Sequence, residues 1–111
     1  MNRKIKFRAI YKGEEKHFVY WEITDEMDLS LIDIETISQF TGLKDKNGKD
    51  IYEGDIIESD FTGHKNRGQV VYSLSCFSFV NRGGGAFQDG YYHMTKGKII
   101  GNIFENTELL K

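Results

Sequence analysis

A mainly β fold with little helix is what the sequence predicts, and three observations carry it. Aromatic residues are abundant, with eight Phe, six Tyr and one Trp in 111 residues. Aromatic and β-branched side chains suit pleated, half-buried surfaces. Twelve glycines stand against no proline, which suits the tight turns between short strands. Several segments also alternate apolar and polar residues with the period of two that a strand imposes.

Taken in order, Lys4 to Ile10 alternates, with Ile5, Phe7 and Ala9 on one side and Lys4, Lys6 and Arg8 on the other, facing water. Tyr11 to Glu15 turns, and His17 to Ile23 returns as a second, aromatic strand, so the two form a hairpin. Thr24 to Ser30 is acidic. Thr24 could cap a short helix over Asp25 to Leu31, and a polar loop fits equally well. Leu31 to Phe40 begins with a strand-like alternation, while Ile34, Ile37 and Phe40 also fit a helical spacing. Strand is favoured for Ser38 to Thr41. Asn47-Gly48 supplies the positive φ angles of a type I′ turn, with Lys44 to Lys46 and Lys49 to Ile51 as its arms. Tyr52 to Asp55 then turns the chain into Ile56-Ile57.

Phe61 to Gly68 reads as a polar loop. Gln69 to Tyr72 and Leu74 to Val80 form the longest apolar stretch, and its alternation changes phase, which suggests a β-bulge or a sharp barrel bend. Residues 82–86 read as a flexible connection, Tyr91 to Met94 as a strand, and Lys98 to Phe104 as the strand that closes the sheet. This order of short strands and glycine turns is that of a small SH3-like β-barrel. The expected layout is an N-terminal β-hairpin subdomain over residues 1–40 and the barrel subdomain over 41–111, in one compact unit. Fold alone assigns no activity.

Three segments carry a family resemblance: Lys6-Phe7-Arg8-Ala9, Gln39 to Ile57, and Ile100 to Asn106. In them the chain resembles the YopX family, small proteins encoded mainly by bacteriophages and prophages. The middle segment, Phe-Thr-Gly-Leu-Lys-Asp-Lys-Asn-Gly followed by Ile-Tyr-Glu-Gly-Asp, is the most specific. Thr107 stands where relatives often carry Pro. The resemblance implies a mostly β protein of phage or prophage origin, acting in the host cytoplasm, with self-association as a further expectation. It supplies no catalytic residues.

Charge sets limits on function. Fifteen basic and seventeen acidic residues leave a formal net charge of −2, which argues against a chain-wide grip on nucleic acid. The distribution is uneven. Residues 1–16 hold six bases and two acids, and residues 22–35 hold six acids and no base. Cys76 is the sole cysteine, so no intrachain disulfide forms, in keeping with a reducing cytoplasm. No apolar run approaches the ~20 residues of a membrane-spanning helix, and the basic N-terminus is followed by no signal-peptide core. A cytoplasmic protein without membrane partners is expected.

Candidate chemistry is sparse. Asp45-x-Asn47-x-Lys49 fails as an EF-hand, whose sixth and twelfth places would be Asp50 and Ile56; a hairpin with charged arms is the simpler reading. Glu53 and Asp55 lie two apart and could share one side of an extended chain, but turn-capping suits them better, Asp55 above all. His17, His64 and His93 are scattered, which does not fit a zinc site, and Cys76 reads as a buried thiol. Gly83-Gly84-Gly85 lacks the helix or lysine of a phosphate loop. No cofactor, metal or enzymatic activity is expected.

The leading expectation is therefore a non-enzymatic accessory protein that acts by binding or by self-assembly into a homo-oligomer. The alternative is a nucleic-acid-binding module, because small barrels bind nucleic acid with exposed aromatics beside bases. Its candidate residues are Lys65, Arg67, Arg82, Lys96 and Lys98 with Tyr91 and Tyr92. From Phe61 to Phe104 these five bases face one acid, Asp89. A host or phage protein is a further possible partner.

Overall fold

The computed structural model describes residues 4–61, 63–73, 76–80 and 90–110. The mainly β expectation holds. Strands β1 (Lys6–Ile10), β2 (Phe18–Glu22), β3 (Ser38–Lys44) and β4 (Asp50–Tyr52) form one antiparallel sheet in the order β2-β1-β3-β4. Strands β5 (Asp55–Phe61), β6 (His64–Ser73), β7 (Cys76–Val80) and β8 (Lys98–Asn102) form a second, in the order β7-β6-β5-β8. A short helix, α1 (Gly90–Lys96), precedes β8.

The first hairpin forms as its alternation predicts, with Phe7 opposite Trp21 and Ala9 opposite Val19. The polarity of β1 differs from expectation, however. Arg8, placed on the water-facing side by alternation, is buried. Lys6 is half-buried and donates to Asp50 at 2.6 Å. Both faces of β1 are covered, because β4 and β5 bring Asp50 and Asp55 against its basic side.

The acidic stretch forms neither a helix over 25–31 nor a strand. It makes two single-turn 3₁₀ helices, Leu29–Leu31 and Ile34–Thr36, each capped by an aspartate. Asp28 accepts from the Ser30 amide and Asp33 from the Glu35 amide. Each cap satisfies an amide that a short helix leaves without an internal partner.

The Asn47-Gly48 hairpin is present with a different turn. Gly48 takes φ +80° and donates its amide to Asp45 O. Asp45 in turn donates to Lys49 O. That is a type I turn closed by a left-handed glycine, the commonest three-residue hairpin connection. Asp45 decides it, since its carboxylate accepts from the amides of both Asn47 and Lys49.

The barrel expectation is corrected. Among the described residues no barrel closes: β8 pairs with β5, leaving β7 and β8 at opposite edges of the second sheet. The expected Tyr91 to Met94 strand lies within α1, which packs against β5 and β7 and lays a helix over the sheet face. Gly97 ends the helix by donating to His93 O. A Cβ there would come within 2.6 Å of that carbonyl and 2.7 Å of an Ile57 methyl, so only glycine lets the helix end lie this close to β5. The polar segment 61–68, read as a loop, is instead largely the first half of the long strand β6, paired with β5 from Ile56↔Gln69 to Phe61↔His64. The phase change between Cys76 and Phe77, read as a bulge or a barrel bend, falls instead at the start of a separate strand, β7, which pairs antiparallel with β6 from Ser73↔Cys76 to Gln69↔Val80.

Ile51, Ile57, Val70, Phe79 and Met94 form the core under α1. Ile51 comes from β4, so this cluster joins the two sheets. No helix among the described residues is long and apolar enough to cross a membrane.

Candidate functional site

The most organised polar arrangement is where β1 crosses the start of β5. The Arg8 guanidinium lies over two rings, 4.2 Å from the Phe18 centroid and 4.7 Å from that of Tyr52. Two π-systems that attract a cation thus lie against the guanidinium. One edge is fixed by Asp55, whose Oδ1 accepts from Arg8 Nη2 at 2.5 Å. Asp55 Oδ2 accepts from the Tyr52 amide at 2.8 Å, which caps the turn into β5. Burial pushes the Asp55 carboxyl above its ordinary range, against the pull of Arg8 and the Tyr52 amide. Burial also raises the Tyr52 hydroxyl to about 12, with Asp50 and Tyr20 adding to it.

This ion pair forms the floor of a cleft of about 270 Å³ between the sheets. Phe18 and Tyr20 stand on one side, Ile99 to Asn102 on the other, with Lys49 and Glu105 also lining it. Asn102 is itself buried, donating from Nδ2 to Glu105 and accepting at Oδ1 from the amides of Phe104 and Glu105. Asp45 links the hairpin to this wall, accepting from the Ile99 amide at 3.0 Å. Sequence reasoning missed Arg8, Asp45 and Asn102 as organising residues. The available signal was a charged or amide side chain inside segments otherwise patterned as strand or turn.

The Glu53 and Asp55 carboxylates do not share a site. Asp55 lines this cleft, whereas Glu53 lines a second groove with Glu35, Tyr72 and Phe104. Of the histidines, only His93 is buried among polar partners, its Nδ1 2.5 Å from Ser59 Oγ beneath α1 and its ring stacked on Phe79. Among the described residues no three His, Cys, Asp or Glu side chains group in a way that would hold a metal ion. Gly83 to Gly85 lie outside the described residues, and so does the Cys76 side chain.

The nucleic-acid candidates divide into two groups. Arg67 and Lys98 flank Glu58 from neighbouring strands. Arg67 donates to Glu58 at 2.8 Å and Lys65 sits 3.7 Å from it. Hydrogen bonding from Arg67 holds the Glu58 carboxyl below its ordinary range. Tyr91, Tyr92 and Lys96 are exposed on α1. That helix covers the sheet face bearing Ile57 and Ser59, opposite the Glu58 face. Arg82 lies outside the described residues. Counting acids only from Phe61 onward overlooked Glu58 and Asp60, which β5 places beside the bases of β6.

The YopX family model, described as YopX protein, matches residues 2–111. The chain belongs to the YopX family. Among solved structures, the crystal structure of protein EF1440 from Enterococcus faecalis is similar. It is 26% identical, with 94% of this chain and 75% of that chain covered at a TM-score of 0.53. No curated protein matches. The three segments that resemble YopX proteins meet at the cleft: Arg8 comes from the first, Asp45, Lys49 and Asp55 from the second, and Asn102 and Glu105 from the third.

Proposed function

We propose that this YopX protein acts by binding rather than by catalysis, as a phage or prophage accessory protein in the bacterial cytoplasm, and that it binds copies of itself. One observation carries the reading. Leu29, Leu31 and Ile34 are exposed, Ile34 at 63%, although they sit in the most acidic part of the chain. Large apolar side chains held outward together mark an interaction surface. They are anchored beside the first hairpin, where Lys12 donates to Leu31 O and Asp33 to Ile10 O. Across β1 from this segment, β2 is an edge of its sheet among the described strands, and an unpaired edge is a template for another chain.

Charges left unpaired on two segments give a second copy points of attachment. None of the six acids from Glu22 to Glu35 is in an ion pair among the described residues. Lys12 and Lys16 are exposed at the hairpin tip and also make none. Lys12 and Lys16 share that tip with Glu14 and Glu15, so its net charge is zero, and attraction to the acidic segment of a second copy rests on the two lysines individually. Light scattering on the wild type is expected to give a mass of several chains, and Leu29→Asp with Ile34→Asp to give one. A wild type of single-chain mass at every concentration would overturn self-association.

A second reading, nucleic-acid binding, draws on α1 alone, where Tyr91 is 68% exposed with Tyr92 and Lys96 nearby. Exposed aromatics beside a cation can stack on bases. It expects retention of single-stranded DNA or RNA at low salt that Tyr91→Ala weakens. No retention at low salt removes it.

A further inference from the structure

We propose that the cleft between the two sheets binds a small oxyanion, a phosphate or a carboxylate, held between Arg8 and Lys49. The proposal does not depend on self-association.

The argument begins with unmet hydrogen-bonding capacity. Arg8 carries five N–H donors, yet its only hydrogen bond among the described residues runs from Nη2 to Asp55. Its Nε is buried with no partner among the described residues. That nitrogen is closed off from the cleft, so the donors left for an ion there are the remaining N–H groups of the two Nη atoms. The guanidinium is also pre-positioned. Phe18 and Tyr52 pack against it and Asp55 fixes one edge, so an anion in the cleft meets a donor fork that loses little further freedom.

A second cation is present. Lys49 lines the same cleft, is exposed, and has no ion pair among the described residues. Its backbone is held by Asp45. The two acids in the lining do not cancel this arrangement. Asp55 is engaged by Arg8 and the Tyr52 amide, and Glu105 accepts from Asn102 Nδ2 at the exposed rim. A cleft of about 270 Å³ lies just below the usual range for small-molecule sites, which suits a phosphate or a short carboxylate. Guanidinium and ammonium donors recognise both through charge-assisted hydrogen bonds.

The test is amide NMR titration of the full chain with sodium phosphate and with sodium acetate, each against sodium chloride at equal ionic strength. Saturable shifts at Gly101 and Asn102 are expected with at least one oxyanion, and whichever binds identifies the group. Lys49→Ala, at an exposed position, is expected to weaken binding about tenfold, the effect of one charge-assisted hydrogen bond. Glu105→Gln is expected to tighten it by removing a like charge. Shifts no larger than those with chloride, binding indifferent to Lys49→Ala, or weaker binding in Glu105→Gln would each overturn the proposal.

Discussion

At the residue scale, stability concentrates in a few buried polar groups. Asp55 is 1% exposed and bridges β1 and the turn into β5. Removing one member of a buried ion pair strands the other, at a cost of about 3–5 kcal/mol. Asp55→Ala is therefore expected to lower the urea unfolding free energy by that order. Arg8→Met with Asp55→Leu is expected to recover part of it, because two apolar groups leave no charge stranded. A loss below about 1 kcal/mol in Asp55→Ala, the size of an exposed pair, would mean that the pair does not join the sheets.

Titration follows from the same residues. Tyr52 is raised to about 12, so the folded state holds its proton where the unfolded chain has released it. Its contribution is complete below the ordinary tyrosine range and is lost as pH rises through about 12. Asp50 moves the other way. Burial opposes its ionisation, but Lys44 and Lys6 outweigh that and hold it below its ordinary value. That contribution is present above the ordinary aspartate range and is lost as pH falls through the lowered value. Absorbance of the phenolates during alkaline titration is expected to show one tyrosine ionising with unfolding rather than before it.

At the element scale, the hairpin from β3 to β4 is held by Asp45 as much as by strand pairing. Its carboxylate accepts three amides, those of Asn47, Lys49 and Ile99. Asp45→Ala strands these donors, and with about 1–3 kcal/mol for each one left buried a loss of about 2–4 kcal/mol is expected in chemical denaturation. Gly97→Ala is expected to unsettle α1, since the added Cβ meets the carbonyls of His93 and Glu58 and a side chain of β5. Loss of amide-exchange protection confined to 90–97 would show it.

These elements also mark what sequence could reveal. β1, β2 and the Asn47-Gly48 hairpin were legible because alternation and a turn dipeptide are local signals. α1 was not, because Tyr-Tyr-His-Met has strand-like composition and its helical state depends on Phe79 and Ile57, which are distant in sequence. The cleft was illegible for the same reason. Arg8 looks solvent-facing by period, and only the return of Asp55 and Tyr52 across the first sheet buries it. Resemblance recovered the family from three segments without indicating that they meet.

At the scale of the whole molecule, two four-stranded sheets share one apolar cluster, through Ile51 beside Ile57 and Val70, and present outward-facing leucines across β1 from an edge strand. That surface makes association the central functional claim, and amide hydrogen exchange measured along a dilution series tests it most directly. The β2 amides that do not pair with β1 are expected to be protected at high concentration and to exchange faster on dilution, together with residues 29–34. Exchange in both segments that stays the same at every concentration would contradict the account.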